Sequence, residues 1–379
     1  MRRVTCRQEA PMMTCRERIV AAFEHRESDR VPAYDLLRNE GAIAHYAGQP
    51  VTPENWEVVV PRAISRCLDM TRSVRGPSHE SRLENDDGSV QVVERWTTWH
   101  PVKRFRDESA LADYFRRVAD GRRPAADDLA RVAAERIAWH VDWQARLTPT
   151  VQIWQLGGVG LMGAHGVAGL ELFSYVLHDD PSTVGAYLTA VAERHVELVH
   201  AVFRQLDPEL KPTMAPVAFV GDDIAYKNGP MFSLPMLREH FFPHLRRICD
   251  AYHEHGIWVM FHSDGDLNPL MDDFVAAGID GLNPIERNAN MDLAPLKERY
   301  GARLTFCGGV DIHRLMRHGS LEEVVAGTRQ AILEAGCDGG YLCGSSTELD
   351  DGLPPENVIA MLETIRTEGG YRALVGERP

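Results

Sequence analysis

Asp222-Asp223, His262-Ser263-Asp264, Glu286, Asp311 and Cys343 are residue types that hold metal ions or move protons, and each lies at or near the end of an apolar run in the last two-thirds of the chain. His262 and Asp264 are two apart, so in extended backbone their side chains leave the same face, and an imidazole with a carboxylate is a usable pair of zinc ligands. Glu286 and Cys343, ending neighbouring runs, complete a set of three or four ligands with one position left open. The alternative is that His262 donates a hydrogen bond to Asp264 or Asp223 and no metal binds. Asp222 and Asp223 point to opposite sides of a strand, so one faces a shared cavity while the other caps a loop or pairs with an arginine. Tyr226 and Lys227 precede the sharp turn Asn228-Gly229-Pro230, which suits a lid or a substrate contact. Asp311 follows Gly308 and Gly309, where a missing Cβ permits close approach, and is expected to face a ligand or a partner such as Arg314.

What must position these groups is a repeated unit. Apolar runs at 150–155, 215–223, 257–264, 281–286, 304–311 and 340–345 alternate with amphipathic stretches of helical length. That rhythm predicts a parallel sheet covered by helices, and closure into a (β/α)8 barrel gathers the C-terminal strand ends around one cavity. Helix starts are marked by caps: Thr14 with Glu17, Ser182 after Asp180-Pro181, Ser233 before Pro235, Ser320 with Glu323, and Pro354-Pro355-Glu356-Asn357. The Ser233 helix is expected to run on to His255. Asp86-Asp87-Gly88, flanked by alternating apolar residues, predicts a hairpin. Together with the charged helical stretch 108–145 it breaks the rhythm, giving an insertion at about 80–148 in one barrel domain spanning 14–372. Residues 1–13 and 373–379 are expected to be disordered tails.

Composition narrows the function. A chain of 379 residues with net charge -14 and no cluster of Lys and Arg beyond Arg2-Arg3 opposes a polyanionic partner, which excludes nucleic acid. Seven scattered cysteines without a C-x-x-C pair argue against disulfides and zinc fingers and for buried thiols. No run approaches the roughly 20 apolar residues needed to span a bilayer, and the arginine-rich N-terminus lacks an apolar core, so a cytoplasmic location is expected. Trp96, Trp99 and His100 are candidates for an apolar pocket wall.

Taken in order, Arg16-Glu17-Arg18-Ile19, Asp29-Arg30-Val31-Pro32, residues 222–229, Phe261-His262-Ser263-Asp264-Gly265, Gly309-Val310-Asp311 and residues 354–358 resemble the uroporphyrinogen decarboxylase superfamily, and within it the decarboxylase-like branch that includes cobalamin-dependent methyltransferases. The resemblance implies a (β/α)8 barrel with its pocket at the strand C-termini. It places Asp223, the second aspartate of an Asp-Asp-x-Ala-Tyr motif, in that pocket, and puts a strand-end aspartate at Asp69. The decarboxylases' arginine-rich N-terminal loop is replaced here by residues 33–39, which keep Tyr34 and a single arginine, Arg38. A polycarboxylated tetrapyrrole needs several guanidinium partners, so methyl transfer is the expected chemistry and decarboxylation the alternative. The methyltransferases' zinc motif His-x-Cys-Gly reads His262-Ser263-Asp264-Gly265, with aspartate in the thiolate's place, and their later cysteine has its nearest counterpart in Cys343.

The catalytic candidates are therefore Asp223, Tyr226, His262, Asp264 and Asp311. Substrate contacts are expected from Tyr34, Arg38, Asp69, Lys227 and Glu286, and zinc ligands from His262, Asp264 and Cys343. Cobalamin would arrive on a separate corrinoid protein, because no Asp-x-His-x-x-Gly run occurs in the chain. A small-molecule substrate and a homodimer complete the expectations.

Overall fold

The computed structural model describes residues 12–121 and 126–370. Of the two expected tails, only Met12 and Met13 fall among the described residues, and the Met13 N–H is tied to Asp29 Oδ2 at 3.1 Å. The chain is α/β. Strands Trp154–Gly157, Val217–Gly221, Trp258–His262, Gly281–Ile285, Thr305–Val310 and Tyr341–Ser345 form a six-stranded, all-parallel sheet in sequence order. A second parallel pair joins Met70–Thr71 to Val151–Gln152, and single parallel bridges link Ala33 to Cys343 and Tyr34 to Met70. Five of these strands fall within one or two residues of the expected runs, whereas the run 150–155 divides between Val151–Gln152 and Trp154–Gly157.

Alternation then decides which side chains point inward. Tyr34, Met70, Val151, Ile153, Val217, Phe219, Met260, Cys307 and Leu342 pack together in one buried cluster. Ile19, Ala22 and Phe23 of the helix Cys15–Phe23 join it, with Phe23 stacked 5.4 Å from Trp258, the first residue of its strand. The N-terminal helix thus covers the N-terminal strand ends and leaves the C-terminal ends open. The outward-facing residues of the same strands, such as Val259, Phe261, Phe306 and Cys343, belong to a separate cluster shared with the helices.

The capping boxes at Thr14/Glu17 and Ser320/Glu323 form as expected. The helix expected from Ser182 to about Gln205 forms as Pro181–Gln205, capped by the Asp180 carboxylate, which reaches the Thr183 N–H. The helix expected from Ser233 to His255 breaks at Phe241 into Leu234–His240 and Phe242–His253, as Pro243 enters the first turn of the second. The insertion holds a three-stranded antiparallel sheet, Ser81–Glu84, Val90–Val93 and Thr98–Val102, followed by helices Glu108–Asp120 and Ala126–Leu147. Among the described residues, no helix is long and apolar enough to cross a membrane.

Asp69 proves to be a fold residue and not a substrate contact. It precedes the strand Met70–Thr71 instead of ending it, is fully buried, and its carboxylate takes Arg18 Nη1 at 3.0 Å, Arg30 Nη1 at 2.7 Å and the Ala33 N–H at 2.8 Å. It therefore locks the first helix and the segment after it onto the sheet. Asp69→Ala leaves Arg30 without its carboxylate and Arg18 with only Asp29, and is expected to lower unfolding free energy by about 3 kcal/mol, read as a shifted urea midpoint at unchanged slope.

Candidate metal and substrate site

Met260 points inward, so His262, two residues on, points the same way one layer higher. Its Nδ1–H donates to Asn283 Oδ1 at 2.9 Å on the adjacent strand, and the Asn283 amide is itself oriented by Nδ2–H to Cys307 Sγ at 3.4 Å. This fixes the tautomer and leaves the Nε2 lone pair facing Asp223 Oδ1 at 3.7 Å, too far for a hydrogen bond. Asp264 completes the group: one ligand atom each from Asp223, His262 and Asp264 lies within 4.8 Å of the other two.

The backbone holds this arrangement firmly. Ser263 is buried, and its hydroxyl accepts the Ile224 N–H at 3.0 Å and donates to Asp264 O at 2.9 Å. The Asp264 N–H reaches Asp223 Oδ1 at 3.3 Å. Gly265 follows with φ +95°, and a Cβ there would lie 2.7 Å from Tyr226 O, so the turn below the site requires glycine. Asp222 faces away, as one of two adjacent strand residues must. Its buried carboxylate accepts the N–H groups of Val159 at 2.6 Å, Gly160 at 3.0 Å and Met162 at 2.7 Å, so it caps the loop of a neighbouring strand.

Electrostatics favour a cation among the three groups. Burial, reinforced by the charges of Asp223 and Glu286, pushes the Asp264 carboxyl up to about 7. Burial and the nearby Arg72 charge press His262 down to about 4, keeping the imidazole neutral. Asp264 Oδ1 is buried with no hydrogen-bond partner. A neutral imidazole and two carboxylates, one of them with an unpartnered oxygen, are chemically able to supply three ligands to a divalent cation.

The other expected residues divide. Tyr34 lies inside the sheet beneath the site, its phenol oxygen accepting from Arg72 Nε at 2.9 Å. Arg38 is buried at the rim and pairs with Glu348. Glu286 stands beside Asp264, its carboxylate accepting the Gly265 N–H at 3.3 Å and lying 3.3 Å from His313 Nε2. Tyr226 and Lys227 sit on a small hairpin, Ala225–Tyr226 with Gly229–Pro230, and both are exposed, so neither side chain joins the three groups. Asp311 accepts the His313 N–H at 2.8 Å and caps the turn Ile312–Met316, and it stands outside the group formed by Asp223, His262 and Asp264.

Cys343 is not a ligand. It alternates with inward-facing Leu342, so its thiol lies in the helix-side cluster, and burial pushes it up to about 12. Asp223 takes the place expected for it. Trp96 donates to Glu40 at 3.2 Å, while Trp99 and His100 are exposed on the inserted sheet, so they do not form the expected pocket wall. Two groups were missed, Arg72 and Asn283. Both carried a signal: Arg72 is two residues beyond inward-facing Met70, and Asn283 is the one polar residue inside the run 281–285.

Comparison with known proteins supplies the context. Residues 157–368 match the family model described as Uroporphyrinogen decarboxylase (URO-D). Among solved structures, a methyltransferase from Methanosarcina mazei superposes with a TM-score of 0.66 at 17% identity, covering 93% of this chain and 98% of that one. That identity is low enough that the likeness speaks for a shared fold. No curated protein matches the chain. Because the family model covers more than half of the sequence and the fold is shared along nearly all of it, the chain belongs to the uroporphyrinogen decarboxylase family.

Proposed function

We propose that this protein is a methyltransferase that moves a methyl group between a small methylated substrate and a corrinoid protein or thiol. The parallel strands and bridges are read as a closed (β/α)8 barrel whose mouth is the active site. The observation that carries the proposal is the convergence of Asp223, His262 and Asp264 with one carboxylate oxygen left unpartnered. These three side chains would hold a zinc ion, which when bound supplies a Lewis acid that stabilises a thiolate or a leaving oxygen. Asn283 keeps the His262 Nε2 lone pair available for it, and Glu286 holds the Gly265 turn in place. Tyr34 and Phe219 form a dry floor that excludes water from below.

Cofactor-free decarboxylation of a tetrapyrrole is the competing chemistry. A polycarboxylated substrate entering here would meet Asp223, Asp264, Glu286 and Glu348, while Arg38 is already paired with Glu348. Like charges in a partly buried site repel, which favours the methyl-transfer reading.

Elemental analysis of the purified protein is expected to find about one zinc per chain, lost in His262→Ala and in Asp264→Ala. Zinc-loaded protein should transfer methyl groups to a corrinoid, seen as a change in its visible spectrum. Release of carbon dioxide from uroporphyrinogen that persists with chelator would overturn the reading.

The pH dependence of metal affinity follows from Asp264. Its folded-state carboxyl titrates near 7, so the metal competes with a proton below that value, whereas His262, titrating near 4, is already neutral there. Zinc affinity measured by competition with a chromophoric chelator is expected to fall about tenfold per pH unit below about 7 and to level off above it. Asp264→Asn should weaken binding and flatten that profile.

A further inference from the structure

Arg72 is an arginine inside the sheet whose charge nothing in the methyl-transfer scheme uses. It follows the strand Met70–Thr71 on the inward face. Its Nε–H donates to Tyr34 Oη at 2.9 Å, Nη1 lies 3.4 Å from Ser73 Oγ, and its guanidinium carbon sits 3.8 Å above the centre of the Phe219 ring. Stacking and the Tyr34 bond fix the plane of the group, so little rotamer freedom is left to lose on binding. Among the described residues no carboxylate lies at ion-pair distance from it, although the nearby Arg38 has Glu348 and the rim's Arg95 has Glu40. Arg72 is half-buried, and its charge is felt at both His262 and Asp264.

The same Phe219 ring that carries Arg72 on its face lies 5.2 Å from the centre of the His262 imidazole. The guanidinium carbon therefore lies no more than 9.0 Å from the centre of the His262 imidazole, with the shared Phe219 ring packed against both groups. A fixed, unpaired guanidinium prefers a planar or tetrahedral oxyanion that accepts two of its N–H groups.

We propose that Arg72 binds the anionic end of the substrate, so that the methylated compound is a small organic monoanion, a carboxylate or a sulfonate, short enough for its methyl group to reach the metal-ligand groups across the Phe219 ring. This rests on the methyl-transfer reading for the identity of the far end, while anion recognition by Arg72 stands on the geometry alone. A dianion or a polyanion is disfavoured by the charges of Asp223, Asp264 and Glu286. Arg72 thereby sets specificity and orients the bound molecule with its far end at the metal-ligand groups.

The test is binding, measured by calorimetry on the full-length, zinc-treated protein, so that it does not depend on turnover. The probes are 4-methoxybenzoate, 4-methoxybenzenesulfonate and the neutral 4-methoxybenzamide. At least one anion is expected to bind at least tenfold more tightly than the amide, and the stronger of the two identifies the headgroup. In Arg72→Gln that preference should disappear, and in Arg72→Lys, which keeps the charge without the fork, it should be partly retained. On the unaltered protein, added salt should weaken the anion and leave the amide unchanged, a comparison that holds even if a variant misfolds. Equal affinity for anions and amide, binding of neither anion, or equal losses for all probes in a folded Arg72→Gln overturns the proposal. Anion selectivity without any methyl transfer to a corrinoid would leave Arg72's role intact and sink the methyl-transfer reading instead.

Discussion

Three carboxylates, Asp223, Asp264 and Glu286, are brought to one neutral imidazole at the C-terminal ends of adjacent strands, and the rest of the architecture is arranged around holding them there. Like charges at such separations, partly removed from water, repel, and isolated they would push the strand ends apart. The backbone resists through short-range ties: Ser263 to Ile224, Asp264 to Asp223, Gly265 to Glu286, and Asp222 to three N–H groups of a neighbouring loop. A proton on Asp264 relieves part of the repulsion and a divalent cation relieves more. On the zinc reading, the site would exchange one kind of positive charge for another.

Much of this was legible in the sequence because strand ends are where apolar runs stop. His262 and Asp264 close such a run, and Asp222-Asp223 close another, so their gathering followed from the strand–helix rhythm. The choice of Asp223 over Asp222 for the cavity rested on a motif, and the structure supplies its cause in the opposite directions of neighbouring side chains. Cys343 went wrong for the same reason. Counting from the strand end put it at the mouth, whereas counting by twos from Leu342 turns it to the helices.

Asp69, Arg72 and Asn283 show where one-dimensional reading fails. The strand at Met70–Thr71 is two residues long, too short to announce its direction or its inward face, so sequence alone does not separate the buried anchor before it from a ligand contact or single out the guanidinium after it. Asn283 was hidden by its apolar neighbours. Its role depends on His262 lying on the next strand, a contact between residues 21 apart that no local pattern encodes. The inserted sheet was legible as a hairpin from Asp87-Gly88, but which way its tryptophans face depends on packing and not on alternation.

The first helix and the segment after it reach forward to the end of the chain. Ala33 bridges to Cys343, the Gly340 N–H donates to Ala22 O, the Val31 N–H to Gly369 O, and the Arg38 N–H to Leu349 O. These contacts span more than three hundred residues, so beyond its tie to Asp69 this segment gains its remaining partners only when nearly everything else has been synthesised. Its apolar face, Ile19, Ala22 and Phe23, packs on Tyr34, Met70 and Val151 early but is completed only by Cys307 and Leu342, so a segment made early is among the last to settle.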